Sequence, residues 1–95
     1  MGMQYDVLAA HLNADGVAYA GPTRVKGYQV APGGTAGEIK FYDNATEASG
    51  TQRLVVDLTV NTAVISTLIP GEGIRFTNGV YIDLPANAAI TVFYG

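Results

Sequence analysis

One histidine, two serines and eight carboxylates are the side chains of this sequence with reactive chemistry of their own. His11 with Ser49 or Ser66 and any acid could form a nucleophilic relay, because such triads assemble from distant positions. Neither serine sits in a Gly-x-Ser-x-Gly elbow, however, and nothing near His11 supports the relay. His11 is expected to be a surface or hydrogen-bonded histidine. Glu38, Asp57, Glu72 and Asp83 could supply the paired carboxyls of glycoside hydrolysis. Eight acids in so short a chain make such pairs easy to compose, so none stands out.

Asp43-Asn44-Ala45-Thr46-Glu47 offers oxygen ligands for calcium but lacks the EF-hand spacing and its glycine at position six. A solvated loop is the expectation. Asn44-Ala45-Thr46 matches a glycosylation sequon, which carries no weight without a secretory signal. Pro32-Gly33-Gly34-Thr35-Ala36-Gly37 lacks the Lys-Ser/Thr ending of a phosphate loop, and Gly71-Glu72-Gly73 lacks the third glycine of a dinucleotide fingerprint. Both read as turns. Cysteine is absent, which removes disulfides, thiolate catalysis and thiol-bound metals. The expectation is a non-enzyme without cofactor or metal.

The tyrosines carry more information. Six occur beside three Phe and no Trp. Tyr28 shares strand phase with Arg24 and Lys26, Tyr42 with Glu38 and Lys40, and Tyr81 with Asp83. Outward placement follows, so Tyr28, Tyr42, Tyr81, Arg24 and Lys26 are the candidate interface, where amphipathic rings are favoured. Ordinary cross-strand pairing is the alternative use of the same residues. A sugar-stacking platform is a third, and it requires the rings to cluster on one face.

The elements that must position these residues are strands. The chain has 95 residues, room for a single domain spanning 1–95. The second methionine suggests Met3 as the natural start, with Met1-Gly2 an added remnant. Short runs rich in Val, Ile, Tyr, Phe and Thr alternate with Gly and Pro along the whole length. Gln52 to Val60 gives the cleanest period of two, with Leu54, Val56, Leu58 and Val60 on one face. Asp15-Gly16 predicts a hairpin folding Val17–Ala20 back on Gln4–Leu12. Asn78-Gly79 predicts a second hairpin between Ile74–Phe76 and Val80–Leu84. Pro85 to Ala88 predicts a turn before a last strand, Ala89–Tyr94. Helix signals are limited to Leu8–Leu12, too short to propagate, and one turn at Ala45–Ser49. The expected fold is all-β: an antiparallel sandwich or jelly roll of about eight short strands.

Charge limits the partners. Lys and Arg number five against eight Asp and Glu, a net charge of −3, and charged residues make up only 14%. Five scattered cations cannot form the basic stripe that phosphate binding needs, which argues against nucleic acid. No apolar run reaches the roughly 18 residues of a membrane span. The 48% of hydrophobic residues must then be shared between a small core and neighbours, so self-association is expected.

The run Thr23-Arg24-Val25-Lys26-Gly27-Tyr28-Gln29-Val30-Ala31-Pro32-Gly33-Gly34-Thr35-Ala36-Gly37 resembles small proteins of marine tailed bacteriophages. So do Phe41-Tyr42-Asp43, Ser49-Gly50-Thr51, Ile69-Pro70-Gly71-Glu72-Gly73-Ile74 and Ile90-Thr91-Val92-Phe93-Tyr94-Gly95. The resemblance spans most of the chain and contains no catalytic signature. It implies a virion component made in the host cytoplasm, such as a head decoration protein, that forms a homotrimer and docks on a capsid or other virion protein. A carbohydrate-binding module for host attachment is the alternative.

Overall fold

The computed structural model describes residues 8–31, 36–58, 64–69, 71 and 73–95. It is all-β and contains no helix among those residues. Nine strands run in chain order: β1 Leu8–Leu12, β2 Gly16–Tyr19, β3 Thr23–Ala31, β4 Gly37–Asp43, β5 Gln52–Leu58, β6 Ile65–Leu68, β7 Ile74–Phe76, β8 Val80–Asp83 and β9 Ala89–Tyr94. They form two antiparallel sheets packed as a sandwich. One has the order β1-β9-β3-β6 with β7 also on β3; the other has the order β2-β8-β4-β5.

This is the order of a jelly roll, with successive strands from β1 to β4 alternating between sheets. The ninth strand fits the same plan. β6 pairs with residues 27–30 of β3 and β7 with residues 23–25, so the two occupy one lane, broken around Gly71 and Gly73. Eight lanes therefore hold nine strands. Their inner faces bury Val25, Val30, Ile39, Phe41, Phe76, Val80, Ile82, Ile90 and Val92 completely. β5 alternates as its sequence dictates, with Val56 and Leu58 buried and Arg53, Val55 and Asp57 exposed. The last strand has the expected bounds, and the turn before it is closed by the Ala88 N–H donating to the Pro85 carbonyl at 3.3 Å. Residues 4–7, 32–35, 59–63, 70 and 72, which entered the expected strands and turns, lie outside the described residues.

Both predicted hairpins are replaced by crossings between sheets. β1 pairs with β9 and β2 with β8, so Asp15-Gly16 turns a corner of the sandwich. Asp15 fixes that corner by accepting the Leu84 N–H on Oδ1 at 2.7 Å. β7 pairs with β3 and β8 with β4, so Asn78-Gly79 likewise links opposite sheets. A type I′ turn needs positive φ at both central residues. Among the described residues only Asn87, at 66°, is a non-glycine with positive φ, so Asn78 does not meet that need. Gly79 serves close approach instead: a Cβ there would stand 2.9 Å from the Tyr19 carbonyl and 3.1 Å from that of Asn44.

The predicted faces of β3 are corrected as well. Val25 pairs with Tyr94 but Gly27 with Phe93, leaving Lys26 as the extra residue of a bulge. An inserted residue reverses the phase of everything after it. Val25 and Tyr28 therefore both face the core, and Tyr28 packs against Phe41 with ring centroids 6.0 Å apart. The outward placement expected for Tyr28 does not occur. Leu8–Leu12 is a strand, and Ala45–Ser49 is a series of bends with no helical turn.

Candidate functional site

The five expected interface residues do not form one surface. Tyr42 has the outward phase of β4 but is buried, and its hydroxyl accepts a hydrogen bond from Gln52 Nε2 at 3.2 Å. It is covered because its cross-strand partners are Tyr81 on one side and Gln52 on the other. Tyr81 is half-buried beside it, on the outer face of the four-stranded sheet. Arg24 and Lys26, also half-buried, lie in β3 of the other sheet, with Arg24 directly opposite Arg75 of β7. Among the described residues the rings give no flat sugar platform either, since Tyr28 and Tyr42 are buried and Tyr19 and Tyr94 tilt at 35° to each other.

His11 and Ser66 are also kept apart. His11, Thr91, Gln29 and Ser66 form one cross-strand row over β1, β9, β3 and β6. Three strand spacings separate His11 from Ser66, roughly 14 Å. His11 Nδ1 instead shares a hydrogen bond with Thr91 Oγ1 at 2.9 Å on the surface, in keeping with a hydrogen-bonded histidine. Glu38 and Asp57 are register partners on the open face of the four-stranded sheet, with Lys40 Nζ 3.8 Å from Glu38. Both are exposed there. An open hollow of about 240 Å³ lies between Pro22, Thr23, Arg24, Arg75, Phe76 and Gly95.

Asp43 holds the most constrained carboxylate described. It sits at the end of β4 in the phase of Ile39 and Phe41, 6% exposed. Its Oδ1 accepts the Asn78 N–H at 2.7 Å, and its Oδ2 accepts the Thr77 hydroxyl at 2.9 Å and the Thr77 N–H at 3.2 Å. Arg53 donates to the same Oδ2 from Nη2 at 3.0 Å and Nε at 3.2 Å. Arg53 reaches it from a second bulge, since Phe41 pairs with Leu54 but Tyr42 with Gln52. Burial alone would raise the Asp43 pKa. The donors from Asn78, Thr77 and Arg53 outweigh it and hold the carboxyl far below its ordinary value.

The neighbouring oxygens are equally occupied. Asn44 Oδ1 accepts the N–H groups of Thr46 and Glu47 at 2.8 and 3.1 Å, and Asn44 Nδ2 donates to the Ser49 carbonyl. The loop proposed for calcium uses its ligands to close itself. Among the described residues no three acidic or histidine side chains gather to hold a metal.

Asp83 shows the opposite shift. Burial, the charge of Asp15 and a hydrogen bond with it raise the Asp83 carboxyl, against the pull of Lys40. A raised folded-state pKa means the penalty is absent in acid and grows as pH rises through that value. Asp83→Asn is therefore expected to stabilise the chain at neutral pH by about 1 kcal/mol, with no gain in acid. Thermal unfolding at pH 7 and pH 3 measures this, and equal shifts at both would rule the coupling out.

The surface that remains is the part of the five-stranded sheet's outer face away from β7, where Arg24 and Arg75 stand opposite each other. Its rows read Ala9, Phe93, Gly27, Leu68, then His11, Thr91, Gln29, Ser66, then Ala89 and Ala31. None of these ten residues is charged. The sequence held this signal, because Leu8–Leu12, Ile65–Leu68 and Ala89–Tyr94 contain no acid, Lys or Arg. No family model, curated protein or solved structure matches the chain.

Proposed function

We propose that this chain is a non-enzymatic structural protein of a virion, a capsid decoration or accessory protein that acts by self-association and docking on a viral surface. The observation that carries this reading is the uncharged stretch of that outer face, ten residues across β1, β9, β3 and β6. A soluble domain normally scatters charges over a solvated sheet face; here Arg24 and Arg75 stand together where β7 pairs with β3, Glu38, Lys40, Asp57 and Asp83 lie on the opposite sheet, and the stretch across β1, β9, β3 and β6 is left without any. The jelly-roll order adds support by analogy, because viral capsid and lectin domains use it. The phage resemblance supplies the virion setting and the expected trimer.

Two measurements test the reading. Light scattering at micromolar concentration should return three chain masses, and a monomer throughout that range would refute self-association. Mass spectrometry of purified phage particles should find the chain in the virion. Recovery only from the lysate would refute the structural role.

A further inference from the structure

An antiparallel sheet ends on two strands whose outer N–H and C=O groups have no ladder partner, and proteins guard such edges with charge, bulges or cover. The four-stranded sheet follows this practice. Its edge β2 is bulged between Val17 and Tyr19, and its edge β5 is bulged at Arg53 and also carries Asp57. Among the described residues, β1 and β6 of the five-stranded sheet do not. β1, Leu8-Ala9-Ala10-His11-Leu12, keeps five consecutive pairs with β9 and has no charge or proline. β6, Ile65-Ser66-Thr67-Leu68, keeps four consecutive pairs with β3 and is equally uncharged.

The most exposed large apolar side chains collect at these two edges: Leu68 at 81%, Val64 at 60% and Leu8 at 53%. A self-complementary contact needs one such edge. A head-to-tail contact needs two different ones that match, and this sheet has two. Direction agrees as well. β1 is antiparallel to β9, β9 to β3 and β3 to β6, so β6 and β1 run opposite ways. Setting β6 of one copy beside β1 of the next continues the antiparallel alternation.

We infer that copies of the chain join head to tail through β6 of one and β1 of the next, closing a ring whose five-stranded sheets run on from copy to copy. Its occupant is a second copy of this chain, and the inference rests on the self-association proposed above. In the unshifted register Leu68 meets the next copy's Ala9 and Ser66 meets its His11. The uncharged rows then run unbroken around the ring, with no charge buried at the joint.

Because the chain has no cysteine, disulfide trapping is clean. Ala9→Cys and Leu68→Cys both change exposed side chains, so neither threatens the core. The double variant under mild oxidant should run as covalent multimers up to the size light scattering gives for the wild type. Each single variant should stay monomeric on the same denaturing gel. Leu68→Lys should weaken association roughly tenfold or more, since the joint would bury an unpaired charge. An oligomer in which the double variant fails to cross-link overturns the joint while leaving self-association standing. Dimers from Ala9→Cys alone also overturn it, in favour of β1 meeting its own copy. A wild-type monomer removes both this inference and the reading it rests on.

Discussion

Asp43→Ala is expected to lower the unfolding free energy by about 3–5 kcal/mol. The carboxylate takes two backbone N–H groups, a hydroxyl and a guanidinium at the end of the sandwich. Alanine leaves the Thr77 and Asn78 N–H groups without an acceptor where β7 leaves one sheet and β8 enters the other. Folded domains hold only about 5–15 kcal/mol in all, so this one side chain controls a large share. The Arg53 contact contributes less, because that side chain is 40% exposed and its charge is screened. Arg53→Ala should therefore cost well under half as much. Urea denaturation of the two variants decides the matter, and comparable losses would mean the ion pair, and not the backbone capture, holds the crossing.

The same carboxylate sets the acid limit. Its folded-state pKa lies below the ordinary 3.8, so its contribution is complete above that value and drains away as pH falls beneath it. Wild-type stability should drop steeply from pH 4 downward, and the Asp43→Ala profile should be flatter there. Parallel profiles would show that other groups govern acid unfolding.

Gly73→Ala is expected to cost about 3 kcal/mol, against about 1 kcal/mol for Gly71→Ala. Both glycines have positive φ, 86° and 72°, so both substitutions carry the backbone cost of placing a side chain there. Only Gly73 adds a collision. Its Cβ would press on the carbonyl oxygen of Val25, with the carbonyl carbon 3.1 Å away, while around Gly71 nothing lies within 4 Å. Val25 cannot retreat, because its side chain is fully buried and it opens the bulge that turns Tyr28 inward. Equal melting temperatures for the two variants would defeat this account of the close packing between the bulge and Gly73.

These two sites mark where reading the sequence succeeds and where it stops. Strong alternation with one buried face is legible, so β5 appears with its true phase, and β9 with its true bounds. A two-residue turn signal reports a change of direction and says nothing about which sheet receives the next strand. Asp15-Gly16 and Asn78-Gly79 were therefore read as hairpins, although Asp15 and Asp43 use distant backbone groups to tie both into sheet crossings. A bulge is invisible to a period of two, and the single residue Lys26 moves Tyr28 from the expected surface into the core. The uncharged stretch is present as three charge-free segments, but only the register of β1, β9, β3 and β6 shows that they share one surface.

The strand order also fixes when this molecule can fold. β8 lies between β2 and β4, and β9 lies between β1 and β3, so residues 80–94 supply a central strand to both sheets. Neither sheet can close before that segment is synthesised, and the pairings of β1 with β9 and of β2 with β8 join residues more than sixty positions apart. Such high contact order implies folding in milliseconds to seconds, roughly a thousand times slower than a helical chain of this size. During that interval β1 and β3 lack the strand that separates them, and a neighbouring chain can offer its own. The rate of synthesis then has to match the rate of folding, because crowded nascent copies can exchange β9 before each completes itself.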